Sequence, residues 1–157
     1  MILTVFLLSS ATVGCLSTSQ ENNGIELTVN YEFTNGTIVE TYVDGEFQSK
    51  SNVVLDFDFS TTSSEHELVS FGIDPYDGRS PILVAAETSQ TVSVEFSEHG
   101  IYRLDVFAVD EMESRENLTI VVRIEFNIEW NEDTTNEPTS LEIDSIPKNG
   151  GPYPSMI

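Results

Sequence analysis

Basic side chains are scarce in this chain. Its 157 residues include 6 Lys and Arg against 27 Asp and Glu, which gives a formal net charge of −21 at pH 7. Such an acidic protein repels the phosphates of nucleic acids and of anionic lipids. The composition therefore excludes nucleic-acid binding through a basic face and charge-driven docking on an anionic membrane.

Cysteine and alanine are also rare. Cys15 is the only cysteine, so no disulfide can form within the chain and the fold depends on its apolar core. Alanine occurs 4 times, whereas Val, Ile and Thr together number 42. Because β-branched residues favour strands, and because no sustained i, i+3, i+4 apolar pattern occurs, the sequence predicts an all-β protein.

Alternating apolar residues begin at Ile25. One apolar and one polar face predict a half-buried strand over residues 25–33. Asn35-Gly36 then predicts a hairpin turn, since both residue types tolerate a positive φ, and residues 37–43 form the return strand. Asp44-Gly45 predicts a second turn of the same kind.

Further strands follow at regular spacing. Alternation or short apolar runs predict them over residues 53–59, 68–73, 82–86, 92–96 and 102–108. The clearest strand comes last, with seven apolar residues of one parity: Leu118, Ile120, Val122, Ile124, Phe126, Ile128 and Trp130. Short strands separated by turns predict a β-sandwich over residues 25–130, and the hairpin-length connections predict antiparallel pairing.

The two ends of the chain differ from this body. Residues 1–14 carry no charge and form a short apolar run followed by small residues, which is typical of a signal peptide and too short to span a bilayer. Residues 15–24 predict a flexible tether. Residues 131–157 are interpreted as an acidic linker and tail, in which Leu141, Ile143 and Ile146 suggest one more strand or the start of a further module.

The segment Val13-Gly14-Cys15 resembles the lipobox of prokaryotic lipoproteins, archaeal ones among them. This resemblance implies removal of residues 1–14, lipid on the thiol of Cys15, and a position on the extracytoplasmic face of the cell envelope. An ordinary cleaved signal with an incidental cysteine, or an uncleaved anchor, remains the alternative.

Residues 92–124 resemble the C-terminal half of a PKD-type immunoglobulin-like domain. The match consists of an aromatic residue, a glycine, an alternating strand and a closing aspartate: Phe96, Gly100, Tyr102, Leu104, Val106, Val109 and Asp110. The resemblance implies an antiparallel immunoglobulin-like (PKD-like) β-sandwich that serves as an extracellular spacer or adhesion module.

Residues that carry chemistry are few and scattered. His66 and His99 stand beside glutamates in polar segments, at no spacing typical of a metal site, and are interpreted as surface loop residues. No nucleophile elbow or phosphate-binding loop is present, so we expect no enzyme and no catalytic residue. Calcium is the one candidate cofactor, and its candidate oxygen ligands are Asp74, Asp77, Asp110, Glu111 and Glu113.

Two sequons make Asn35 and Asn117 candidate glycosylation sites. We expect a lipid-anchored, non-catalytic surface module with a structural, spacer or adhesion role and no nucleic-acid partner. The alternatives are an extracellular domain that binds a glycan or a protein, and an accessory module of a larger surface enzyme. Exposed aromatic residues would favour the binding domain, and the candidates are Tyr42, Phe47, Tyr76 and Phe107.

Overall fold

The computed structural model describes residues 24–133, 140–143, 146 and 155–156. The predicted signal peptide and Cys15 lie outside these residues, as does the tether up to residue 23. The described residues contain strands and no helix, which confirms the all-β class. The strands are β1 (Ile25–Glu26), β2 (Asn35–Val43), β3 (Glu46–Ser51), β4 (Val53–Asp58), β5 (Ser63–Ser64), β6 (Leu68–Asp74), β7 (Ile82–Ala85), β8 (Thr91–Phe96), β9 (Gly100–Asp110), β10 (Arg115–Asn131) and β11 (Ser155–Met156).

The main sheet is mixed, with the strand order β3-β2-β10-β9-β6-β7. β2 runs parallel to β10, as does the short β11, while the other neighbours in this sheet are antiparallel. The expectation of a wholly antiparallel sheet is therefore wrong. Hairpin-length connections constrain only strands that follow each other in sequence, whereas most of the domain's sequence lies between β2 and β10.

The first predicted strand and turn are also wrong. Only Ile25–Glu26 joins a ladder, with β5, and residue Asn30 makes a single bridge to Asp58. Asn35-Gly36 begins β2 and does not form a turn. β2 pairs with β10 instead. Gly36 lets the backbone of β2 lie close to the side chain of Val53, with which a Cβ at this position would collide.

The predicted turn at Asp44-Gly45 is confirmed. Both residues have positive φ, 50° and 82°, and they connect β2 to the antiparallel β3. These backbone angles suit the twist of a tight hairpin, and Asp and Gly tolerate them.

The core lies between the main sheet and a separate antiparallel pair, β4 with β8. The apolar parities of β4, β6, β8, β9 and β10 meet there, as the alternation predicts. The largest buried side chains are Phe57, Phe59, Phe71, Phe96, Ile38, Ile73, Leu104 and Ile124. Phe59 and Phe71 stack with ring centroids 4.7 Å apart.

β10, with 17 residues, has different neighbours along its length. Its pairing with β9 begins at Arg115 and stops at Ile124, opposite Gly100, whereas its pairing with β2 extends to Asn131. We call residues 115–124 the covered half of β10 and residues 125–131 its projecting half. At residues 127–128 the projecting half pairs with β11, along the same edge of β10 that pairs with β9 in the covered half.

The chain enters the fold at one end and β10 finishes at the other. Gly24 accepts a hydrogen bond from the amide of Glu65, and the amide of Glu111 donates to Glu67 close by, near the start of β10. The amide of Asp44 donates to Asn131 where β10 finishes. A strand of 17 residues spans about 50 Å, so these positions, the near end and the far end, lie well apart.

Candidate functional site

A cleft of about 230 Å³ lies against the projecting half of β10. Its floor belongs to β2, β3 and β10, and its rim belongs to the segment after β8 and to the tail. We call it the Glu40 cleft. Its lining residues are Ile38, Glu40, Tyr42, Lys50, Ser97, Glu98, His99, Phe126, Glu142, Ile143 and Ile146.

Strand alternation explains why Glu40 faces this cleft. Ile38, Glu40 and Tyr42 share one parity of β2, and Ile38 is fully buried in the core. Because β8 ends at Phe96, this face of β2 is open beyond Ile38. Glu40, two residues further along β2, therefore faces the cleft. A carboxylate is stable there because the cleft admits water and a cationic partner.

Glu40 holds two polar partners. The ammonium group of Lys50, on the neighbouring strand β3, lies 3.1 Å from one carboxylate oxygen, and the hydroxyl of Tyr42 donates to the other at 2.9 Å. Burial, the hydrogen bond to Glu40 and the charge of that carboxylate raise the pKa of Tyr42. Tyr42 therefore stays a hydrogen-bond donor at neutral pH.

His99 forms part of the opposite wall. Its ring stacks on Phe126 with centroids 5.2 Å apart and an interplanar angle of 15°. The residue is 8% exposed, so its interpretation as an exposed loop histidine is wrong. His66 is exposed as expected, with its ring nitrogen 4.0 Å from Glu111.

A second cleft, also about 230 Å³, lies on the other side of the same segment and shares Ser97 and Glu98 with the first. Asp77, Arg79 and Tyr102 complete it. The guanidinium of Arg79 donates to Asp77 at 2.6 to 3.0 Å and to the carbonyl oxygen of Glu95 at 2.7 Å. This pair fastens the 75–81 loop to β8.

The environment shifts the pKa of two groups in this second cleft. Burial acts to raise the pKa of Asp77, but the hydrogen bonds and positive charge of Arg79 outweigh burial and lower it. Burial, with a contribution from the charge of Glu98, raises the pKa of Tyr102 to about 12. The hydroxyl of Tyr102 donates to the carbonyl oxygen of Glu98 at 2.7 Å.

The candidate calcium ligands fall at two separate places. Asp74 pairs with Asp105 at one end of β6, while Asp110 pairs with Leu68 at the other, about 20 Å away. Glu111 and Glu113 follow Asp110 in the turn at the near end, whereas Asp77 lies beside Arg79 in the second cleft.

Several of these carboxylates already serve the backbone. Asp110 accepts hydrogen bonds from the amides of Met112 and Ser114 at 3.0 and 2.9 Å, and Asp74 accepts one from the amide of Tyr76. These contacts are typical of aspartates that shape turns. Among the residues described, no group of three or more His, Cys, Asp and Glu is placed to hold a metal ion.

The two candidate glycosylation sites differ in their surroundings. Asn35 is exposed at the start of β2. Asn117 is exposed within the β9–β10 ladder, where its side-chain amide donates to Asp105 at 2.6 Å. A glycan on Asn117 would have to disturb this contact, and one on Asn35 would not.

The candidate aromatic residues do not form one surface. Phe107 is buried beneath Arg115, whose guanidinium lies 3.6 Å from the ring centroid. Tyr76 is 68% exposed in the loop after β6. Tyr42 and Phe47 meet edge to face, with centroids 5.7 Å apart, beside the Glu40 cleft.

Sequence reasoning missed Glu40 and Lys50 as site residues. The usable signal was parity, because Glu40 is a charged residue in the apolar phase of β2, between Ile38 and Tyr42. Lys50 had no comparable signal, since its place opposite Glu40 depends on the register of the β2–β3 hairpin.

The described residues contain no helix long and apolar enough to cross a membrane. Comparison with protein-family models finds none that matches the sequence, and comparison with curated proteins finds no significant match.

Proposed function

We propose that this protein is an exported surface module, anchored to the cell envelope by lipid on Cys15, that acts as a spacer or adhesion domain and performs no catalysis. The observation that carries the proposal is the position of Cys15. The cysteine directly follows an uncharged apolar run, and nine residues separate it from Ile25, where β1 begins.

The geometry of the domain supports this role. The tether would join the fold at Gly24, at the near end, while both clefts lie toward the far end. A molecule anchored through Cys15 would therefore present its clefts away from the membrane. The net charge of −21 would keep such a domain soluble and apart from anionic lipids.

We further propose that the fold is an immunoglobulin-like sandwich of the PKD type, with a parallel β2–β10 pair in place of a wholly antiparallel sheet. The β9–β10 hairpin and the opposing β4–β8 pair support this assignment. Tyr102 supports it as well, since the aromatic residue of the Gly-x-Tyr strand packs on Phe96 with centroids 4.8 Å apart.

The decisive experiment is the intact mass of the protein from the membrane fraction of its native host. The expected mass is that of residues 15–157 plus lipid. A Cys15→Ser variant should lose the lipid and leave the membrane fraction, whereas Ser17→Ala, a matched change two residues away, should remain anchored. A mass without lipid, or one that retains residues 1–14, would overturn the anchoring proposal.

A second function, recognition of a protein or glycan by the far end, is favoured by one observation. Two clefts flank the same three-residue segment, 97–99, and both are lined by charged and aromatic side chains. The module would then bind as well as space, either on its own or as an accessory to a larger surface enzyme. If a Cys15→Ser variant still binds its protein or glycan partner, recognition is separate from anchoring.

A further inference from the structure

We propose that a depression beside Tyr76 binds an acidic sugar, a hexuronate residue of a glycan, with the sugar ring stacked on Tyr76 and its carboxylate paired with Arg103. The proposal goes beyond the spacer role and depends neither on the lipid anchor nor on the two clefts at the far end. It rests on three observations: a cavity, a tyrosine with an unfavourable backbone conformation, and an exposed arginine.

The depression has a volume of about 390 Å³ and lies on the face of the main sheet that points away from the β4–β8 pair. We call it the Tyr76 shelf, and its lining residues are Pro75, Tyr76, Ile101 and Arg103. Ile101 and Arg103 alternate with the buried Tyr102 along β9, so their side chains point away from the core. The volume exceeds that of either cleft and falls in the range of about 300–1,000 Å³ that is usual for small-molecule sites.

Tyr76 combines two unfavourable features. Its φ is 48°, in the left-handed region that Gly, Asn and Asp tolerate and that bulky residues seldom adopt. The residue is 68% exposed, so burial of the ring does not offset this strain. The amide of Tyr76 donates to the carboxylate of Asp74 at 2.9 Å, a contact that any residue except proline could make. The turn itself therefore has no need of a tyrosine, which assigns the exposed ring a role outside the fold.

Arg103 supplies a positive charge beside this ring. It is exposed, and among the described residues it takes part in no ion pair, whereas Arg79, Arg115 and Arg123 each pair with a carboxylate. The carboxylate of Asp105, two residues along the same face of β9, is occupied by Arg115 at 2.7 Å. The planar guanidinium of Arg103 is thus available to an incoming carboxylate, whose two oxygens match its donors.

The ring and the guanidinium together favour a hexuronate over a carboxylate alone. The face of an aromatic ring carries partial negative charge, so a carboxylate avoids the ring of Tyr76 and lies toward Arg103. The C–H bonds on one face of a sugar carry partial positive charge and can stack on the tyrosine. A hexuronate holds both groups on one rigid ring. An acidic protein segment has no such flat face, and several charges on it would be repelled by a chain of net charge −21.

Titration of the full chain followed by NMR tests the proposal at 0.15 M salt. The probes are methyl β-glucuronide and its neutral analogue methyl β-glucoside. We expect the glucuronide to bind about fivefold more tightly, which is the upper range for an exposed ion pair. Arg103→Gln should reduce this ratio to about one. Tyr76→Ala should weaken the binding of both probes about fivefold, because the stacking contact is lost.

Arg123→Gln is the matched control. It removes the same charge from the same face of the sheet, outside the Tyr76 shelf, and should change either affinity less than about twofold. Equal affinities for the two probes, or no binding of the glucuronide, would overturn the proposal. So would equal losses in Arg103→Gln and Arg123→Gln, because they would show attraction by charge alone. Unfolding curves of each variant establish that it is folded.

The backbone strain at Tyr76 provides a second arm. Tyr76→Asn should lose the stacking contact and raise the melting temperature by about 2–5 °C, because asparagine tolerates a positive φ. A tyrosine that serves only the fold would give the opposite result. A melting temperature that stays the same or falls in Tyr76→Asn would therefore overturn the proposal.

A third arm distinguishes a sugar from a protein as the source of the carboxylate. The peptide acetyl-Gly-Gly-Glu-Gly-Gly-amide should bind more weakly than the glucuronide, because its carboxylate is not carried on a flat ring. If the peptide binds as tightly as the glucuronide, with the same loss in Tyr76→Ala, the glycan proposal is overturned and the Tyr76 shelf is assigned to an acidic protein.

Discussion

The two halves of β10 share one sequence pattern and have different surroundings. In the covered half, Ile120, Val122 and Ile124 face the β4–β8 pair and are buried in the apolar core. In the projecting half, Phe126 and Ile128 continue the same parity and are still buried, but Phe126 also lines the Glu40 cleft. Alternation therefore specifies which face a residue occupies, and the end of β8 at Phe96 leaves part of that face open to the cleft.

The two regions are also held by different forces. Apolar packing holds the covered part, by which we mean the region where the main sheet faces the β4–β8 pair, as in the stack of Phe59 on Phe71. Ion pairs and hydrogen bonds fasten the far end, where Arg79 bridges Asp77 to β8 and Lys50 bridges β3 to Glu40. Substitutions in the covered part should therefore cost more stability, and those at the far end should depend more on pH and salt.

The largest contrast is expected between two phenylalanines. Phe71→Ala empties a fully buried position in the covered part, and we expect a loss of about 3–5 kcal/mol in the free energy of unfolding. Phe47→Ala at the far end removes a ring that is 55% exposed, and its loss should stay below about 1 kcal/mol. Urea denaturation measures both. Similar losses would show that the two regions are equally well packed.

A smaller effect is expected at Gly72, on the outer face of β6. A Cβ at this position would collide with the ring of Phe107, which Arg115 holds from the other side. Gly72→Ala should therefore cost about 1–3 kcal/mol.

Phe107→Leu in the same chain tests the cause of that loss. If the ring is responsible, Gly72→Ala should cost less in the Phe107→Leu background than in the wild type. Additive losses in the double variant would instead assign the effect to Leu83, whose methyl group lies 2.7 Å from the same position, or to the backbone of β6.

The sequence was sufficient for some features and insufficient for others, for physical reasons. Strict alternation located β4, β6, β8, β9 and β10, because side-chain direction is a local property of a strand. The β2–β10 pairing was not accessible, since it joins residues far apart in sequence and the Asn35-Gly36 pair mimics a turn. The Glu40 cleft depends on that same pairing, so the site could not be found before the topology was known.

The smallest expected effect is a pH dependence at the far end. Because Arg79 lowers the pKa of Asp77 in the folded protein, the charged pair stabilises the fold above the unfolded value, near 3.8. This contribution is lost as the pH falls through the folded pKa. The stability difference between the wild type and Asp77→Asn should therefore be about 1 kcal/mol or less at pH 6 and should shrink by pH 2.5.

Taking the difference between two chains cancels most of the other carboxylates, whose protonation also changes stability in a protein of net charge −21. Glu125→Gln provides the control, because the Arg123–Glu125 pair is exposed on both sides, with side chains 56% and 49% accessible. Its stability difference should stay within a few tenths of a kcal/mol at both pH values. If the stability difference for Asp77→Asn does not change with pH, Arg79 fastens the loop through its hydrogen bond to the carbonyl oxygen of Glu95 in β8. The far end, like the covered part, would then be held without a titrating pair.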